Sequence, residues 1–347
     1  MSAWLVEALT GSALLMLAVL VLRRPVARLF GAHVAYALWA LPALRLLLPP
    51  LPGWTSLYAP VAHSGPANPL VFAIVSHERA AQLAADVPPE LAGDLPPLAP
   101  ELAPLPDVPP LGDGLGSGEL VLLVWLAGAA LYLAVQLLRT HRFVGRAVAA
   151  GERLTRIRGI DVILSPAVAG PMAAGVWRRR ILLPADFAAR YTAEERRLAL
   201  LHEGAHHDRG DLIANLAGLV VVALHWWNPL AHWAWGRFRS DQEQACDATV
   251  LLRADGETRV AYGRTVLKSA CGAMPAAALA MNHKDQMKMR IGMMKQRVGA
   301  SRLLAGTGFV VAAIGAGLVL TASGAAAPVP PAPPVPPAPA APLAPEA

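Results

Sequence analysis

Residues 3–24 read AWLVEALTGSALLMLAVLVLRR. From Ala3 to Leu22 only Glu7, Thr10 and Ser12 interrupt the apolar run, and they lie toward its outer end. A helix needs roughly 20 such residues to cross a hydrocarbon layer about 30 Å thick. An export signal that is cleaved carries its positive charges ahead of the apolar run. Here Arg23, Arg24 and Arg28 follow it, so the stretch reads as a retained span whose C-terminal end faces the cytoplasm. Three further stretches repeat the pattern: Ala32–Leu48, Leu120–Leu138 and Leu303–Thr321. Buried helices of soluble proteins seldom run so long without a charge.

The composition agrees. Of 347 residues, 55% are hydrophobic and 16% charged, with a mean hydropathy of +0.44; a soluble domain carries roughly 25% charged residues. Two cysteines, Cys246 and Cys271, exclude a disulfide-stapled scaffold and a Cys-only zinc site. The net charge of +6 is unevenly placed. Segment 50–118 has one basic residue, Arg79, against seven acids, whereas 139–302 holds 25 Lys or Arg and 14 Asp or Glu. Basic residues concentrate on the cytoplasmic side of spans. The expected layout is therefore two transmembrane helices in 1–49 joined by the short cytoplasmic loop Arg23–Gly31, then an extracytoplasmic loop (50–118) and a third span (119–138). A cytoplasmic domain (139–302), a fourth span (303–322) and an extracytoplasmic tail (323–347) follow. A cytoplasmic setting keeps both cysteines reduced. Fourteen of the 32 prolines fall in 50–110 and ten in 328–345, so both segments read as extended, polyproline-rich chain. The tail is a spacer, a partner ligand or inert.

The cytoplasmic segment holds the chemistry, in LALLHEGAHHDRGD (198–211). His202, Glu203 and His206 form H-E-x-x-H. On a helix, positions i and i+4 share a face, which suits two ligands of a tetrahedral zinc, with the intervening Glu able to reach a metal-bound water. Thr192 followed by Glu195 is a capping-box pattern that starts such a helix. Downstream, RFRSDQEQACDATVL (237–251) puts Glu243 and Asp247 four apart on a second expected helix. Glu243 is read as the third metal ligand, although alone it would be a solvated helix-face residue. Asp247 is read as an acceptor that orients a ligating imidazole. His207 points about 100° away from His206 and is not expected to ligate. His225, His232 and His283 remain substitute ligands or transition-state donors, with interfacial or exposed places as the simpler reading.

Between the two motif helices, Leu212–Leu224 is apolar but too short to span. Trp226, Trp227, Trp233 and Trp235 follow it, and tryptophan favours membrane boundaries. A helix in the boundary or packed on the spans explains both features; an ordinary buried hairpin is the alternative. Upstream, Val176–Leu183 contains three consecutive arginines and reads as an exposed edge strand, able to pair with an extended peptide. The arginines could equally meet acidic lipid or solvent. No nucleic-acid-binding motif accompanies the charge.

Taken with ILSPAVAGPMAAGVWRRRILLP, YTAEERRLALLHEGAHHDRGD and WWNPLAHWAWGRFRSDQEQACDATVL, the chain from about Met1 to Thr321 resembles the BlaR/MecR-type integral-membrane zinc metallopeptidases, an antirepressor family of gluzincins. The resemblance implies zinc held by His202, His206 and Glu243, Glu203 as general base, and Asp247 behind a ligating histidine. It also implies a mostly α membrane protein whose cytoplasmic α+β protease domain lies between the third and fourth of four spans. Its implied role is signal-triggered cleavage of a cytoplasmic winged-helix transcriptional repressor, of itself, or of both. The beta-lactam sensors carry a penicillin-binding domain after the last span. Here a Pro/Ala tail follows Thr321, so sensing by that route is not expected. The competing reading is a non-enzymatic signalling scaffold with a structural zinc and a partner-binding tail; Glu203 is superfluous in such a site.

Overall fold

The computed structural model describes residues 2–48, 117–252, 254–272, 281–294 and 299–321. The Pro-rich stretches expected at 50–118 and 323–347 lie outside them, apart from Ser117 and Gly118. Helix α1 (Ser2–Phe30) contains the whole first apolar stretch. It also runs through residues expected to form a loop, because Arg23 does not need solvent. Its guanidinium donates to both oxygens of Asp241, at 2.8 and 2.7 Å, and is 4% exposed. The chain breaks only at Gly31, with φ of 98°. The second stretch is not one continuous helix but two short ones, α2 (Ala32–Ala37) and α3 (Ala40–Leu47). Pro42 lacks the N–H that would continue a helix onto the Leu38 carbonyl. Leu41 N–H instead takes that carbonyl in a tighter turn at 3.1 Å.

Helix α4 (Ser117–Ala149) extends well beyond the third apolar stretch and ends against a four-stranded sheet. The strands are β1 (Glu152–Ile157), β2 (Ile160–Ser165), β3 (Met172–Ala174) and β4 (Arg180–Pro184), in the order β1-β2-β4-β3. β2 and β4 are parallel; the other pairs are antiparallel. The strand period of two explains the two cores. Ile160, Val162, Ile181 and Leu183 face Phe187 of α5 (Phe187–Arg190) and Ala199 of α6 (Ala193–Asp208). Ile163 and Leu182 face Ala147 of α4. This corrects the edge-strand reading of Val176–Leu183. β4 is internal and its Ile181–Pro184 are buried, the arginine run lies mostly in the preceding turn, and β3 is the edge.

Gly210 ends α6. At φ of 72° it adopts the left-handed conformation that glycine reaches without penalty, and it reverses the chain directly into α7 (Asp211–Leu224). α8 (Pro229–Val250) returns alongside. This hairpin packs among the long helices, rather than lying across their ends. His225 at its tip reaches the Leu9 carbonyl of α1 at 3.2 Å, and Trp226 lies so close to Gly128 of α4 that a Cβ there would be 2.6 Å from the indole. Both contacts fall well inside apolar stretches. Leu9 lies fourteen residues before Arg23, about 21 Å along α1. α9 (Gly256–Gly272), α10 (Met281–Met294) and α11 (Ala300–Thr321) complete the chain. Among the described residues three helices are long and apolar enough to cross a membrane: Leu5–Phe30, Gly118–Ala149 and Ala300–Val319.

Candidate active site

Helix α6 begins with the expected capping box: Glu195 N–H donates to Thr192 Oγ1, and Thr192 N–H to Glu195 Oε2. Sixteen residues of helix then place His202 and His206 on one face, with their Nε2 atoms 3.2 Å apart. Helix α8 crosses beneath. Its Glu243 puts Oε2 3.4 Å from His202 Nε2 and Oε1 3.7 Å from His206 Nε2. Two ligands held at about 2.0–2.1 Å by a tetrahedral metal are about 3.3–3.4 Å apart. The three groups therefore fit a single ion.

Cys246, one turn after Glu243 and fully buried, is a second candidate from the same helix. Its sulfur and one ligand atom from each of His202 and His206 all lie within 4.8 Å of one another, and its thiol donates weakly to the His202 carbonyl at 3.5 Å. The sequence reading considered cysteines only as disulfides or as an all-Cys zinc site, and so passed over one thiol beside two imidazoles.

Further residues aim the imidazoles. Asp211 Oδ2 accepts from His206 Nδ1 at 2.7 Å. His202 Nδ1 donates to the Tyr262 hydroxyl at 2.7 Å, which in turn donates to Asp247 Oδ1 at 2.8 Å. Both arrangements use Nδ1 and turn Nε2 toward Glu243. Asp247 reaches His202 through Tyr262; its direct separation from His202 Nδ1 is 3.6 Å. Arg290 of α10 completes the cluster, with Nε and Nη2 on the two Asp247 oxygens at 2.8 and 2.7 Å, and Nη1 3.3 Å from Glu243 Oε2.

The electrostatics favour positive charge between the ligands. Burial pushes the His206 imidazolium down, but Asp211, Cys246 and Glu243 outweigh it and raise its pKa to about 10. His202 behaves alike: burial is opposed by Cys246, Glu243 and Glu203, and the pKa rises. Burial raises the Glu243 carboxyl, yet Arg290 and the two imidazoles hold it well below the usual carboxylate range. A divalent cation meets the same demand.

Glu203, 8% exposed, borders a cavity of about 580 Å³ together with both histidines, Glu243 and Arg290. Pro171, Met172 and Ala173 at the edge strand line its rim, as does Asn215 of α7, whose Oδ1 is buried with no partner among the described residues. The other histidines serve elsewhere. His207 Nε2 bonds the Arg180 carbonyl at 2.9 Å, tying α6 to β4. His225 joins Val221 and Leu9 carbonyls, and His232 the Trp226 carbonyl. The His283 side chain lies outside the described residues. Asp211 could have been read as an acid opening a helix directly after the motif. Tyr262 and Arg290 carry no local signal, because only folding brings α9 and α10 to the site.

Long apolar helices around a buried His-Glu pocket define a membrane-associated peptidase, and comparison with known proteins gives the family. The family described as BlaR1 peptidase M56 matches residues 4–294, and the chain belongs to it. The regulatory protein BlaR1 of Bacillus licheniformis is 33% identical over 104 residues, which is 30% of this chain and 17% of that protein. The aligned part is thus a small fraction of the relative's length.

Proposed function

We propose that the protein is a zinc-dependent endopeptidase of regulatory type, with its active site at the cytoplasmic face of the cell membrane. The observation that carries this reading is the convergence of His202 Nε2, His206 Nε2 and the Glu243 carboxylate, at separations of 3.2 to 3.7 Å, in one cavity with Glu203. His202, His206 and Glu243 hold the zinc, with Asp247 acting on His202 through Tyr262. The bound metal supplies Lewis acidity toward the scissile carbonyl and makes water acidic enough to be deprotonated near neutral pH. Glu203 takes the proton of the attacking water and passes it to the leaving amine. Met172–Ala174, the outer strand of the sheet beside α6, offers backbone groups to an extended peptide, and Asn215 Oδ1 offers an acceptor across the cavity.

The charge distribution supports four spans, with α2–α3 as the second and the domain 139–302 facing the cytoplasm, its α7–α8 hairpin set among the spans. The site is tied to the base of the spans: Tyr36 of α2 contacts Asp211, and His33 Nε2 lies 2.9 Å from Thr249 Oγ1. A substrate must bring an unstructured segment to that face. Family resemblance supports a winged-helix repressor; the protein's own stretch from Lys284, a second candidate on sequence grounds, is helical through Met294 and does not meet the constraint there.

The test uses full-length protein in lipid nanodiscs and the proteome of cells that carry it. Glu203→Gln should keep zinc at wild-type stoichiometry and lose both self-cleavage and one cytoplasmic cleavage product. Undiminished cleavage in that variant would remove Glu203 from the mechanism, and products confined to the outer side would reverse the topology.

A further inference from the structure

Arg290 has no place in the H-E-x-x-H logic, yet it is the cation nearest the third ligand. Its fork is fully used. Nε and Nη2 lock onto Asp247, which is 2% exposed, and this leaves Nη1 directed at Glu243 Oε2. That same oxygen is the one 3.4 Å from His202 Nε2. Glu243 is the more exposed partner, with a side chain 32% accessible, and apart from the two imidazoles no other cation is paired with it among the described residues. A flexible carboxylate at a cavity wall would otherwise sample several rotamers.

The guanidinium is itself held from behind. Met294, one turn further along α10, packs with Leu198 of α6, Leu251 just beyond the end of α8 and Val266 of α9. Arg259 Nη1 donates to the Met294 carbonyl at 2.6 Å and caps the end of α10. Arg290 therefore sits on a clamped helix that precedes α11 in the chain.

Resting on the metallopeptidase reading above, we infer that Arg290 is a positioning residue for the third metal ligand: locked on Asp247, it holds the Glu243 carboxylate against the His202–His206 pair and so sets the metal affinity of the site. A lysine keeps the charge but cannot span both carboxylates with a planar fork.

The experiment measures zinc affinity by chelator competition, and the visible spectrum of the cobalt(II)-substituted protein, in full-length nanodisc samples. Arg290→Gln should weaken zinc roughly 10–100-fold, as loss of a group supporting a ligand does, and should change the cobalt spectrum. Arg290→Lys should fall between it and wild type, and remains informative if the glutamine variant does not fold. On a Glu243→Gln background, Arg290→Gln should add little, since the effect runs through that carboxylate. Unaltered zinc affinity and spectrum in both Arg290 variants would overturn the inference and leave the metallopeptidase reading intact. An equal loss on the Glu243→Gln background would also overturn it, by showing that Arg290 acts elsewhere. Wild-type protein that binds neither zinc nor cobalt would overturn both.

Discussion

Asp211 Oδ2 lies 2.7 Å from His206 Nδ1, and the two residues belong to different helices joined through Gly210. The carboxylate is 1% exposed and also accepts from Arg209 Nε at 3.2 Å. It selects the imidazole tautomer that presents Nε2 to a metal. Asp211→Asn should lower zinc affinity roughly 10–100-fold while leaving the helical content unchanged. Chelator competition and circular dichroism measure the two, and wild-type affinity in the variant would refute the role.

Glu243 and Cys246 compete for the third ligand position, and single substitutions separate them. Glu243→Ala should lose zinc and activity. Cys246→Ser should retain metal and show a cobalt spectrum without loss of a sulfur charge-transfer band, because the thiol is expected to lie behind the ligand set. Metal loss confined to the serine variant would transfer the position to the thiolate.

Arg23 and Asp241 form a buried bidentate pair between α1 and the helix that carries Glu243, and the Trp39 indole donates to the same carboxylate at 2.8 Å. Removing one member strands a buried charge, at a cost of about 3–5 kcal/mol. Arg23→Met and Asp241→Leu should each lower the melting temperature in nanodiscs, and the double variant should recover part of the loss. A double variant showing the full sum of both losses would mean that the two residues act independently.

Lys268 Nζ donates to Glu195 Oε2 at 2.6 Å, within the capping box that starts the H-E-x-x-H helix. Hydrogen bonding from Lys268 holds the Glu195 carboxyl below its ordinary value, against the opposing effect of burial. A depressed carboxylate adds stability above its unfolded pKa of roughly 4.3, and that stability disappears as pH falls through the folded value. Lys268→Met should therefore be less stable than wild type at neutral pH, with the gap closing in acid. Melting temperatures from pH 7 down to pH 3 check this; a constant gap would exclude the Glu195 linkage.

Much was legible along the chain. Apolar length predicted α1, α4 and α11 as long helices, because crossing hydrocarbon is a requirement on consecutive residues. The i, i+4 rule placed His202 with His206 and Glu243 with Asp247, and the capping box at Thr192 is a contact three residues apart. These are consequences of helix periodicity alone. The second apolar stretch was misjudged as one rod because hydropathy does not register Pro42 at a helix start.

The tertiary structure decided what lies between helices. Whether Arg23 faces solvent depends on Asp241, more than two hundred residues away. The arginine turn before β4 reads as an edge strand until β3 pairs outside it. Tyr262 and Arg290 reach the site only because α9 and α10 pack against α6 and α8. Composition and spacing determined which residues could bind a metal, since those depend on side-chain type and local period. Which groups orient and charge-balance the ligands is set by contacts between distant segments, and no local pattern encodes them.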